Sequence, residues 1–336
     1  MSERFKLPAG LRRLLWPLLT LGVLLLFNLF FTPGFFRVVV QGGHLYGSLI
    51  DVLKQAAPVA LMSIGMSLVI ATGGVDLSVG AIAAISGTIA VRILTGDHPS
   101  FALAVVVALA LSTVLGAGNG LLTAGFGVQP IVATLILMVA GRGVAQLISE
   151  GQILTVENDP FSFLALGHFL GFPFPVTIVA VMFILTALLT RTTALGLYIE
   201  AVGDNVTASR YAGLQVRGIQ GFVYAFSGLC AGVAGLVISS DIKAADANNA
   251  GLYTELDAIL AVVIGGGSLA GGRFSLAGAL VGALTIQSLV TTILTKGVPV
   301  QYTLVVKAVV VIVVCLLQAE EFRRLLHIGR RQPVAS

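Results

Sequence analysis

Charged side chains are scarce in this chain. Asp, Glu, Lys and Arg make up 10% of its 336 residues, against about 25% in ordinary globular proteins. With 57% of residues hydrophobic, a conventional water-soluble domain is excluded and the solvent for most of the chain is a bilayer. Histidine is rare as well. His44, His98, His168 and His327 lie far apart in connecting segments or the tail. Neither an HExxH motif nor a Cys/His ligand spacing occurs, so no metal site is expected. The two cysteines, Cys230 and Cys315, sit inside apolar runs and are expected to be small packing residues. A phosphate-binding loop is missing too. Its nearest approach runs from Gly267 to Phe274, with Arg273 where lysine is needed and Phe274 where a hydroxyl is needed. Any ATP chemistry would therefore have to come from a partner. Intramembrane proteolysis lacks its motifs: Asp76 stands in GGVD and not GxGD, Asp257 has no such glycine context, and Ser268 is followed by Leu269.

What is present is a series of apolar runs of spanning length. The formal net charge of +4 fits basic loops on one side of a membrane, and nucleic acid is not an expected partner. Ten segments are expected, near 14–31, 51–72, 77–95, 101–124, 128–149, 174–190, 219–239, 256–270, 274–294 and 299–318. The first is a retained helix and not a cleaved signal, since it is long enough to span and Thr32-Pro33-Gly34 ends it. The fold class is thus an all-α polytopic membrane bundle of about ten helices, with a short or broken helix near 256–270. Residues 1–13 and 319–336 are tails, and 14–318 form one transmembrane domain in contact with lipid.

An even count puts both termini on one side. That side would hold Arg4, Lys6, Arg12, Arg13, Arg191, Arg210, Arg217, Arg273, Arg323, Arg324, Arg330 and Arg331, 12 of the 19 basic residues. Asp97, Glu150, Glu157, Asp159, Asp241, Asp246 and Glu255 fall on the other. The asymmetry predicts cytoplasmic termini.

Two places are interrupted by paired glycines, GGVDLSVGA at 73–81 and GGRFSLAGA at 271–279, aligned at an offset of 198. An internal duplication and chance in a Gly/Ala-rich chain both account for this. Asp76, beside the first break, is either a cap at the start of a helix or a group in a permeation path. Between Arg191 and Arg217 lies a connection longer than two adjacent spans need. Asp204 and Asn205 are potential caps, a short helix runs to Tyr211, and Gly213 is a stop. On the opposite side, 239–255 is polar without being basic. There Asn248 and Asn249 suit either a polyhydroxylated ligand or plain turn chemistry.

Four stretches together resemble the membrane subunits of ribose-type bacterial ABC sugar importers. They are ALMSIGMSLVIATGGVDLSVG at 60–80, QPIVATLILMVAGRG at 129–143, the 196–213 loop and ELDAILAVVIGGGSLAGGR at 255–273. GRGVAQLI at 141–148 and ADANNAGLYTELDA at 245–258 are most similar to the galactofuranose-type permeases. The resemblance implies an inner-membrane permease, not an enzyme, that moves a monosaccharide by alternating access. It implies a second permease subunit, a periplasmic sugar-binding protein, and a cytoplasmic ATPase that carries the ATP and Mg. The ATPase would dock on the coupling loop 191–218, at Glu200, Ala201, Gly203, Asp204 and Gly213. That loop departs from the general permease pattern, with Val202 in place of a second alanine and no proline after Gly213. Asp76, Asn248, Asn249 and Asp257 are the expected path residues. An ion-coupled secondary transporter for a small polar solute is the rival; Lys307, Asp257 and Asp76 are the intramembrane ionisable groups it would use.

Overall fold

The computed structural model describes residues 9–318. Thirteen α-helices are described: α1 Ala9–Phe31, α2 Ser48–Ala71, α3 Val79–Leu94, α4 Phe101–Gly120, α5 Pro130–Ile148, α6 Asp159–Leu166, α7 Phe174–Thr192, α8 Leu195–Asp204, α9 Val206–Tyr211, α10 Val216–Asp241, α11 Thr254–Ile264, α12 Leu276–Thr295 and α13 Val300–Gln318. A π-helical turn, Leu121–Gly125, extends α4. Arg4, Lys6, Arg323, Arg324, Arg330 and Arg331 of the expected basic side lie outside the described residues.

Ten of these helices fall where the apolar runs predict them. Among the described residues, seven are long and apolar enough to cross a membrane. Two of the expected crossings are shorter. α3 has 16 residues, because Thr72–Ser78 is unwound ahead of it. α11 has 11, because helix stops before Gly265, Gly266 and Gly267. α6 and α8 interrupt stretches that were expected to be loops.

The core is α2, α3 and α10, whose facing sides are almost fully buried. Helices approach closely in lipid when small residues line the contact. Ser112, Gly116 and Gly120 recur every fourth residue on α4 and meet Gly221, Gly228 and Gly232 on α10. A Cβ on Gly228 would overlap the Ser112 carbonyl oxygen and lie 2.9 Å from the Gly116 Cα. Gly228→Leu is therefore expected to remove the monodisperse peak of detergent-extracted protein in size-exclusion chromatography, since overpacking a tight contact costs about 1–3 kcal/mol or more. Gly118→Leu, where a Cβ would meet nothing within 4 Å, is expected to leave that peak intact.

Short polar contacts gather the connections at two ends. At one end Lys54 of α2 pairs with Asp241 of α10 at 2.7 Å, and Arg92 pairs with Glu150 at 2.8 Å. Two hairpins close the same end: β1 Val39–Gln41 with β2 His44–Tyr46, and β4 His168–Phe169 with β5 Phe172–Pro173. They join through Leu45 N–H to Gly171 O and a His44–His168 stack at 4.2 Å. Partial burial and the His44 ring push the His168 imidazole below its ordinary pKa. At the other end the two Gly-Gly turns and α8 come together.

Candidate functional site

α8 and α9 form a bent pair on the Gly-Gly end. α8 buries Gly196, Ile199 and Val202 and exposes Leu197 and Tyr198. Asn205 caps α9, its side-chain oxygen accepting the Ala208 N–H at 2.9 Å. The Ser209 hydroxyl folds α9 back by donating to Ala201 O. Gly213 closes the element in a left-handed conformation, φ +83°. Its N–H donates to Arg210 O and the Leu214 N–H to Ser209 O, the helix-stop geometry that favours glycine.

Glu200, Ala201, Gly203 and Asp204 thus lie on one helix, and Gly213 ends the next. Glu200 borders a cavity of about 440 Å³ with Leu14, Arg191 and Phe274. Gly203 is the contact that matters mechanically. A Cβ there would overlap Ala71 O and sit 2.5 Å from Gly272 N. The Gly272 N–H itself donates to Ala71 O at 2.9 Å, so α8 rests where the two glycine turns meet. Gly213 is different: nothing lies within 4 Å of a Cβ built on it.

Asp76 is fully buried. It accepts from the Ser78 N–H at 3.0 Å, the Ser78 hydroxyl at 2.5 Å and the Ser227 hydroxyl at 2.8 Å. The Asn119 amide donates to the Ser78 oxygen at 2.8 Å. The carboxylate therefore joins the start of α3 to α10 and, through Ser78, to α4. The Tyr224 hydroxyl nearby is buried without a protein partner.

The stretch 239–255 was expected as a polar loop at the hairpin end. Its first part is there: β6, Ala244–Ala245, pairs with β3, Leu154–Thr155. The rest folds back into the bundle. Gly251 packs on Gly80, where a Cβ would meet Gly80 O at 2.7 Å. Gly80 is 14 residues before the end of α3, about 21 Å inward from it at 1.5 Å per residue. α11 starts beside Gly80, inside the bundle, and the glycine stop at 265–267 bounds its other end, which together leave it short.

Backbone turned into a bilayer has to be satisfied from within the protein. Arg142 of α5 does this, donating to Ala247 O at 3.2 Å and Ala250 O at 2.6 Å. Glu255, buried against Gly80, and Asp246 are the anions near it. Asp246 also accepts the Asn248 and Asn249 N–H groups at 3.0 Å and the Asn249 amide at 2.8 Å. Asn248 turns the other way and accepts from Gln146 at 2.7 Å. Asp257 pairs with Lys307 at 2.7 and 2.9 Å.

The structure thus brings Asn249 and Asp257 to one cavity of about 410 Å³. Asn248 faces α5, and Asp76 belongs to a separate buried network. Among the described residues no cluster of three or more metal-ligating side chains occurs.

A family profile described as "Branched-chain amino acid transport system / permease component" matches residues 48–315. The galactofuranose transporter permease protein YtfT of Escherichia coli (strain K12) is 53% identical over 324 residues, 96% of this chain and 93% of that one. The fructose import permease protein FruF of Bifidobacterium longum is 42% identical over 287 residues, 84% of this chain and 80% of that one. The ribose import permease protein RbsC of E. coli K12 is 38% identical over 289 residues, 85% and 87% of the two chains. This chain belongs to the ribose-type family of ABC importer permeases. No solved structure matches it significantly.

The profile names amino-acid transport, whereas these three relatives are named for sugars. The match begins at Ser48, the first residue of α2, and leaves α1 outside. In this permease α1 packs on the outside of α12. It is fastened to α12 by Asn28 donating to the Thr292 hydroxyl at 2.7 Å, and Lys296 donates to Phe31 O.

Three features of the permease were not singled out from sequence. Arg142 carried a faint signal, a lone basic residue inside a predicted span. Glu255 looked like one more loop acid, and nothing local shows that its loop turns inward. Tyr211 is 89% exposed, an apolar ring at the tip of the coupling element just before its glycine stop.

Proposed function

We propose that this chain is the permease subunit of an ATP-driven importer that moves a monosaccharide, galactofuranose- or ribose-like, across the bacterial inner membrane. Both termini and the α8–α9 element face the cytoplasm, where a partner ATPase supplies ATP, Mg and the power stroke. A periplasmic sugar-binding protein delivers solute to the hairpin end, and a second permease subunit completes the path. The chain itself performs no catalysis.

One observation supports the coupling role above the others: Gly203 of α8 rests at the junction of the two Gly-Gly turns. A push on α8 would reach both broken helices at once, α2–α3 and α11–α12. Alternating access then follows as a rigid shift of those pairs, with the inward-turned loop 246–253 between them and the hairpin end. Neutral sugars need hydroxyl recognition and no ion coupling, and the Asp257–Lys307 pair leaves neither charge alone.

The orientation is testable by labelling. In a protein carrying Cys230→Ala and Cys315→Ala, Asp204→Cys is expected to resist a membrane-impermeant maleimide added to intact spheroplasts. It should react fully once the membrane is opened. Labelling in intact spheroplasts would reverse the assignment of ends.

A further inference from the structure

Resting on that reading, we propose that the cavity between α2, α10, α11, α12 and α13 is a binding subsite for a neutral polyhydroxylated solute. Its volume of about 410 Å³ lies within the range of roughly 300–1,000 Å³ typical of small-molecule sites. Asp246 and Asn249 reach it from the inward-turned loop, Asp257 from α11, Gln287 from α12, and Thr303 and Lys307 from α13. These groups offer acceptors, donors and amides that do both, the complement of a set of vicinal hydroxyls.

Thr303 points to a ligand independently. It is 8% exposed, and its hydroxyl has no hydrogen-bond partner in the protein. A buried hydroxyl left unmade is costly, and a solute hydroxyl in the cavity would satisfy it. One turn further along the same face, Lys307 holds Asp257 at 2.7 and 2.9 Å. The pair is fixed by its own ion contact, yet the ammonium keeps a third donor and the carboxylate keeps free lone pairs.

The charge selects the solute class. Two carboxylates and one ammonium line the cavity, leaving it net negative. That disfavours a phosphorylated or acidic sugar and a lipid phosphate alike, and favours an uncharged polyol. Lys54, the cation of α2, is paired with Asp241.

The test is substrate protection in the assembled importer. Thr303→Cys in the Cys230→Ala/Cys315→Ala background is reconstituted in vesicles with its ATPase and binding protein. Uptake of labelled D-ribose, D-fructose and D-galactose is measured first in the Cys230→Ala/Cys315→Ala parent, which keeps Thr303, and then alkylation of the Thr303→Cys protein by N-ethylmaleimide with and without each sugar. Gln287→Cys, on a different wall, serves if the first variant does not assemble. A sugar that the vesicles import is expected to slow alkylation several-fold, and ribose 5-phosphate is not. Equal alkylation with and without the imported sugar overturns the subsite and leaves the importer reading standing, with Thr303 met by water alone. Equal protection by ribose 5-phosphate overturns the neutral class. Vesicles of the parent, with Thr303 intact, that import none of the sugars overturn the importer reading and the subsite with it.

Discussion

Gly203→Ala is expected to cut ATP-driven uptake about tenfold or more while the ATPase stays bound. A single methyl at this position has no place to go. Its Cβ would overlap Ala71 O and crowd Gly272 N, and both are backbone atoms held by the Gly272–Ala71 hydrogen bond. α8 must move off the turns or the turns must part. Overpacking of this kind costs about 1–3 kcal/mol, and about 1.4 kcal/mol is already tenfold in a rate. The outward face of the element, with Leu197 and Tyr211, is untouched. The expected signature is normal ATPase co-purification and ATP turnover with import lost. Unchanged uptake would mean that α8 transmits nothing through this contact.

Arg142→Met is expected to have the second large effect, on assembly and not on coupling. The guanidinium is the donor for two carbonyls of the inward-turned loop and a cation whose charge acts on the buried Glu255. Removing one partner from a buried charge arrangement costs about 3–5 kcal/mol, a large share of the stability of a typical folded domain. The variant should unfold well below the wild type when heated in detergent. Arg142→Met with Glu255→Gln should recover part of the difference, since no buried charge is then left alone. A double variant no more stable than the single one would show that Arg142 acts through the loop carbonyls only.

The bundle was legible because spanning helices announce themselves by length. Leu14–Phe31 and Val216–Asp241 are long apolar runs with polar or glycine ends, and no tertiary knowledge is needed to place them. Cap chemistry was equally local: Asn205 and Gly213 bracket α9 with the side chain and the dihedral that the sequence implies. The misses share a physical cause. Whether 239–255 stays at the surface or turns inward depends on Arg142, more than a hundred residues away, supplying donors to its carbonyls. The break at Gly73-Gly74 was legible before α3, which was expected from residue 77; the helix begins at Val79 because the unwound stretch runs on to Ser78. What unwinds that stretch is Asp76, bonded to Ser227 on another helix. Asn248 and Asn249 are adjacent in sequence and point to different partners, which no spacing rule foretells.

The central claim is that α8–α9 is where a partner ATPase drives this permease. The most direct measurement purifies the tagged permease with its ATPase and reconstitutes it with the binding protein. ATPase retention and labelled-sugar uptake are then read in the same vesicles for wild type, Gly213→Trp and Glu200→Arg. Gly213 has open space around it and a left-handed backbone, so tryptophan strains the stop and projects into whatever docks there. Glu200→Arg reverses a charge at the adjoining cavity. The predicted result is a permease that still inserts and pairs, with ATPase retention and uptake both lost or ATP hydrolysed without import. Normal retention and normal uptake in both variants would contradict the account.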